Sequence, residues 1–142
     1  MPFDAVFPAA TLAAMAGWIA LALSPLAPRW LVPLGGVAVP VALSGLYLVV
    51  AAVALPGAAG GFGSLPDVLA LFAQPGPALA GWVHFLAFDL LVGGWAVREA
   101  RRRGVPHWAL LPCLLLTFML GPVGLLAFLL LRATLGRKEA TA

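Results

Sequence analysis

Residues 78–104 read ALAGWVHFLAFDLLVGGWAVREARRRG. From Ala78 to Val97 the only side chains able to carry a charge are His84 and Asp89, and the cluster Arg98-Glu99-Ala100-Arg101-Arg102-Arg103-Gly104 follows at once. A hydrocarbon slab roughly 30 Å thick is crossed by about 20 apolar residues in an α-helix, and a basic cluster marks where such a helix leaves it. The stretch therefore reads as a membrane span with a strong stop. It is an unusual one, because it carries a carboxyl group near its middle.

The rest of the chain has the same character. Of 142 residues, 63% are hydrophobic and 9% charged, with a mean hydropathy of +1.08, whereas an ordinary soluble domain carries charge on about a quarter of its positions. The single cysteine, Cys113, excludes an intrachain disulfide and a cysteine-based metal cluster. His84 and His107 are too few for a multi-histidine metal site, so no metal and no cofactor are expected. The formal charge of +3 would suggest nucleic acid in a soluble protein. Here the basic residues flank apolar runs and report orientation instead.

Four spans account for the length. Residues 7–23 form the first, broken by Ser24-Pro25-Leu26-Ala27-Pro28-Arg29, and an acid at Asp4, where a signal peptide would carry Lys or Arg, argues against cleavage. Residues 31–55 form the second and 78–97 the third. Residues 108–131 form the fourth, containing Thr117 and the Gly121-Pro122-Val123-Gly124 break, at which Pro122 is expected to bend the helix. Between spans two and three, Pro56 to Gly63 is too glycine-rich for a helix and reads as a flexible connection. Ser64-Leu65-Pro66-Asp67 then starts a short interfacial helix over about 65–73, ended by Gln74-Pro75-Gly76-Pro77. The expected fold is an all-α integral membrane bundle of four transmembrane helices plus that interfacial helix, in a single domain over 1–142. With four crossings, the loops bearing Arg29 and Arg98 to Arg103 (basic loop 98–106) lie on one side, expected to be cytoplasmic, and both termini outside, although Arg132, Arg137 and Lys138 in the tail pull the other way.

Asp89 is the residue that requires an explanation, since an unpartnered aspartate in mid-membrane costs roughly 2.5–3.5 kcal/mol on insertion scales. Ser44, Tyr47 and Thr117 lie near the centres of their own spans and are candidate partners. His84 is about 140° away around the helix and ~7.5 Å along it, so the two flank one cavity only if the bisector between them points into the bundle. The stripe Phe85, Asp89, Gly93, Ala96 places a bulky residue on one side of the acid and small ones on the other. Against a functional reading stands plain packing. Ala13 with Gly17, Ala38 with Ala42, and Gly121 with Gly124 let helices approach, and Ser44 and Thr117 can bond to carbonyls of their own helices. His107 after Pro106 reads as an interfacial residue, and Trp30, Trp82, Trp95 and Trp108 lie near span ends as belt residues do.

The decapeptide Gly81-Trp82-Val83-His84-Phe85-Leu86-Ala87-Phe88-Asp89-Leu90, with its W-x-H-x-x-x-x-D-L pattern, and Gly121-Pro122-Val123-Gly124 in an apolar helix resemble the neoxanthin synthase-like family, also called abscisic-acid-deficient-four-like. Ala27-Pro28-Arg29-Trp30 and Phe62-Gly63-Ser64-Leu65 are in keeping with its bacterial members, which implies a bacterial inner membrane. The resemblance implies a four-span protein whose plant relatives are required to turn violaxanthin into its allenic isomer neoxanthin. That isomerisation needs an acid to protonate an epoxide oxygen and a base to take a proton from the polyene, with no redox cofactor. Carried onto this chain, it implies His84 and Asp89 as the catalytic pair, with Trp82, Phe85 and Phe118, and also Tyr47, Ser44 and Thr117, around an apolar isoprenoid or carotenoid substrate. The other reading is a non-catalytic lipid- or carotenoid-binding or pathway-assembly protein. Expected partners are the lipid bilayer, that apolar ligand and at most further copies of the chain in a homo-oligomer, with no nucleic acid.

Overall fold

The computed structural model describes residues 2–136 and is built of six α-helices. Helix α1 is Phe3–Ala22, α2 is Pro28–Ala54, α3 is Leu65–Phe72, α4 is Pro75–Arg103, α5 is His107–Leu120 and α6 is Pro122–Leu135. Helices α1, α2 and α4 are long and apolar enough to cross a membrane. The central one is α4, which packs against all five others.

Local sequence explains the helix ends. Prolines at Pro75 and Pro77 occupy the first turn of α4, where no amide donor is needed. They begin this helix, whereas the sequence reading used them only to end the preceding one. At its other end Gly104 adopts φ +67°, the left-handed cap that glycine tolerates. Ser64 caps α3 by accepting from the Asp67 amide at 3.3 Å, while its hydroxyl donates to the Asp67 carboxylate at 2.6 Å. The glycine-rich connection is tied down. Gln74 donates to the Ala59 carbonyl at 2.8 Å and accepts from the Ala59 amide at 3.2 Å.

Helix α2 widens to a π turn over Leu34–Ala38. There Gly36 lies so close to Gly94 of α4 that a Cβ on either would strike the other backbone, and Arg98 donates to the Gly36 carbonyl at 3.3 Å. Gly17 of α1 has room only for a hydrogen against Leu90. Gly17 thus serves as expected, but Ala13, Ala38 and Ala42 are exposed and the close approaches fall at Gly35, Gly36 and Gly94 instead.

The fourth expected span is not one helix. At Gly121 the chain turns with φ +45° and ψ −94°, and α6 runs back along α5. Gly124 packs against the Thr117 backbone so tightly that no Cβ would fit, although seven residues of continuous helix would separate the two by about 10 Å. Phe128 meets Trp95 at 5.4 Å between ring centroids. At the end of the hairpin Arg132 reaches Glu99, donating to Oε1 at 3.2 Å. The same oxygen accepts from Arg103 at 3.0 Å, and Arg102 lies 3.7 Å from Oε2. Helices α5 and α6 have 14 residues each, about 21 Å, too short to cross alone. They form a helical hairpin whose open end lies with the arginines.

The run 108–131, expected as one helix, is therefore two antiparallel helices. Phe3 lies beside Gly76 at the opposite end from Arg103, against which Gly136 packs. The described chain therefore begins and finishes at opposite ends of the bundle. All six described arginines, Arg29, Arg98, Arg101, Arg102, Arg103 and Arg132, gather at one end, while Arg137 and Lys138 lie outside the described residues.

Two packed regions result. Nearer the N-terminus, Ala10, Ala14, Leu43, Val50, Val83 and Ala87 join α1, α2 and α4. In the arginine half, Leu21, Leu90, Val97, Leu110, Leu114 and Phe128 add the hairpin to that core. His107 Nε2 lies 2.9 Å from the Ala22 carbonyl, fastening the start of α5 to the end of α1.

Reporters placed at the C-terminus and in the loop at Gly104 are expected to read the same side of the membrane, and a reporter at the N-terminus the opposite one; matching signals from the two termini would contradict the hairpin. In detergent, a Glu99→Ala and Arg132→Leu double-mutant cycle is expected to return a coupling of ~1–2 kcal/mol, above that of an ordinary surface pair. Strictly additive losses would mean that packing alone holds α6.

Candidate functional site

Asp89 is the midpoint of α4, with 14 residues on either side of it in the 29-residue helix. The hairpin reaches the same depth because its two helices are half as long. The carboxyl group faces the turn, and a Cβ added at Gly121 would come within 2.9 Å of its Oδ1. Beyond the tip no hairpin residue covers α4, and a cleft of about 290 Å³ opens there, bounded by Trp18, Phe85, Asp89, Phe118, Gly121 and Pro122. Asp89 is half-buried in it. A polar group in mid-span is thus at the floor of a cleft built by a chain reversal.

A second apolar space adjoins the cleft on the side of the arginine end. Trp18 and Phe118, whose rings meet edge to face at 5.8 Å, also line a larger apolar groove of about 590 Å³ between α1 and α5 that runs to Ala22 and Trp108. The small residue Gly93 on the Asp89 stripe seats the Trp18 ring, since a Cβ there would lie 2.7 Å from it. The stripe therefore makes room for a neighbouring helix rather than for a ligand.

His84 opens into a different space. Its imidazole stacks on Phe88 at 4.6 Å and meets Tyr47 edge to face at 5.6 Å. It lines a cleft of about 300 Å³ with Tyr47, Phe62, Leu71, Phe72 and Phe85. Phe62 and Phe72 come from the glycine-rich connection and α3, so these two elements form one wall of the histidine's cleft. The bisector between His84 and Asp89 points outward, because Phe85 and Phe88, which fill the arc between them, are 63% and 54% exposed. The condition for one cavity flanked by both groups is therefore not met, and the two line separate clefts that share Phe85 on the outer face of α4.

The remaining expected residues divide. Trp82 borders the Asp89 cleft, meets the Phe7 ring at a tilt with centroids 5.4 Å apart and donates from Nε1 to the Thr11 hydroxyl at 3.0 Å. Thr11 in turn donates to the Phe7 carbonyl. Phe118 joins the Asp89 cleft and Tyr47 the His84 cleft. Ser44 and Thr117 do neither: Ser44 donates to the Pro40 carbonyl at 2.8 Å, and buried Thr117 to the Cys113 carbonyl at 2.8 Å. Both hydroxyls are satisfied within their own helices.

Two residues at the site escaped the sequence reading. Gly121 was visible only as part of a proline break, which has the same composition whether the chain bends or reverses. Trp18 had a signal, since it falls inside the first span whereas Trp30, Trp82, Trp95 and Trp108 lie near span ends. A belt residue does not belong at that depth.

The geometry offers one carboxyl and one imidazole on the outer face of a central helix, with the exposed rings of Phe85 and Phe88 between them. Among the described residues no group of three or more His, Cys, Asp or Glu side chains is arranged to hold a metal ion. No curated protein and no solved structure matches the chain. The family described as ABA DEFICIENT 4-like matches it over residues 5–128. That match spans both clefts, the hairpin turn and the first half of α6, and the chain belongs to the ABA DEFICIENT 4-like family.

Proposed function

We propose that this protein isomerises or rearranges an apolar isoprenoid or carotenoid-type molecule drawn from the bilayer, with Asp89 and His84 as its acid–base pair. The observation that carries the reading is the position of Asp89, a carboxyl at mid-helix in a cleft whose other walls are aromatic and aliphatic. Insertion of such a group is costly, and a group kept at that depth without an ion-pair partner is a functional candidate by default. One member of the pair gives a proton to an oxygen of the substrate while the other takes a proton from carbon. The substrate's bonding is rearranged and its oxidation level is unchanged. Phe85 lies between the two groups and borders both clefts, so an extended molecule lying across it would meet one titratable group on each side.

The apolar groove from Trp108 to Trp18 supplies a path for a long hydrocarbon chain to reach the Asp89 cleft. In the proposed orientation the arginine end faces the cytoplasm, following the excess of basic residues there. A second reading, binding without chemistry, is favoured by one feature. His84 is engaged by stacking on Phe88 and by Tyr47, as a histidine that only packs would be.

Mass spectrometry of lipids and pigments extracted from the purified protein is expected to find an isoprenoid enriched over the surrounding membrane. Supplied with violaxanthin or with that isoprenoid in lipid nanodiscs, Asp89→Asn should form product at least 100-fold more slowly than the unaltered protein, the lower range for loss of general acid–base catalysis, with folding retained. Product formation unchanged in both Asp89→Asn and His84→Ala would overturn the catalytic reading. Retention of the co-purifying molecule in the same variants would leave binding as the function.

A further inference from the structure

The arginine end of the bundle holds a second concave site, remote from Asp89. A pocket of about 510 Å³ lies between the first turns of α2 and the last turns of α4, lined by Arg29, Arg98, Arg101 and Arg102 over a floor that includes Pro28 and Val32. Among the described residues no acidic side chain lines it. The nearest acid along α4 is Glu99, which is 7% exposed and already accepts from Arg103 and Arg132. Arg102 lies 3.7 Å from it. Arg98 is held in place by its bond to the Gly36 carbonyl, and Arg29 lies over the Trp30 ring at 5.1 Å.

Arg102 is shared with Glu99. The guanidinium groups of Arg29, Arg98 and Arg101 around one hollow repel each other and attract an anion, and the planar N–H fork of such a group suits phosphate oxygens. The residues lie 9–13 positions beyond Asp89 on α4, about 13–20 Å along the axis. That is the level at which a helix centred on Asp89 leaves the hydrocarbon. The apolar floor continues from the arginines toward the span, so the hollow is amphipathic in the same direction as a lipid molecule beside it.

We propose that this pocket binds the phosphate headgroup of an anionic membrane phospholipid, with its acyl chains descending along Val32 and the outer face of α2. Basic hollows between membrane helices recognise anionic headgroups through this combination of charge and depth. The site is independent of any chemistry at Asp89.

Native mass spectrometry of the full chain released from mixed micelles, with phosphatidylglycerol or phosphatidylcholine of equal chain length, tests it. The unaltered protein is expected to retain phosphatidylglycerol in preference to phosphatidylcholine. Arg29→Gln with Arg101→Gln, both at exposed positions, is expected to weaken phosphatidylglycerol binding about thirtyfold while its thermal unfolding in phosphatidylcholine stays the same. Arg137→Gln with Lys138→Gln, which removes the same charge from the C-terminal tail sequence, is expected to keep the preference. Equal retention of the two lipids by the unaltered protein would overturn the proposal, as would an undiminished preference in the Arg29 and Arg101 variant, or an equal loss in the Arg137 and Lys138 variant. An added arm with millimolar inorganic phosphate distinguishes the source of the anion: displacement of phosphatidylglycerol by phosphate alone would assign the pocket to free phosphate and remove the lipid from it.

Discussion

The architecture depends on a chain reversal at Gly121 that is closed by an ion pair at Glu99. A hairpin inside a bilayer leaves carbonyls and amides at its tip with no water to satisfy them, and that backbone is tolerated only where protein covers it or a cavity takes it up. Gly121 permits the positive φ, Gly124 lets the two arms touch, and Asp89 faces the turn from α4. At the open end Arg132 is drawn to a carboxylate shared by three arginines. A buried carboxylate is expensive without partners, so its pairing fixes where the end of α6 must lie.

The depth of the site follows from this constraint. Because α5 and α6 are each half the length of α4, their tip and the midpoint of α4 coincide, and the face of α4 beyond the tip is left to Trp82, Phe85 and lipid. A four-span bundle would have covered that face and buried Asp89 among helices. The hairpin instead produces a cleft at the midpoint of α4, open on the outer face of that helix. It also collects the described arginines at one end, so that the charge asymmetry is sharper than four crossings would give.

Much of this was legible in the residues. Spans at 7–23, 31–55 and 78–97 correspond to α1, α2 and α4, because uninterrupted hydrophobicity over that length has one use in water and lipid. Ser64 with Asp67 announced α3 through capping chemistry that is local in sequence. Hydroxyls at Ser44 and Thr117 satisfy carbonyls four residues back, as their size allows. The direction of the surface between His84 and Asp89 was not legible, since angular separation on one helix says nothing about which side its neighbours occupy. Glu99 was equally hidden: in the sequence it is one acid in an arginine cluster, and its burial is decided by Arg132, 33 residues away.

The sequence by itself determined that the chain lives in a membrane, that Asp89 and His84 stand on one helix at the middle and shoulder of a span, and that a break occurs at Gly121-Pro122. These follow from composition, helical period and the backbone limits of glycine and proline, which act over a few residues. Only the tertiary structure decided that the break reverses the chain, that the ends of the described chain fall at opposite ends of the bundle, and that the two titratable groups open into separate clefts on an outer face. Each of those depends on contacts between residues distant in sequence, and hydrophobicity that is uniform around a helix cannot choose its partners.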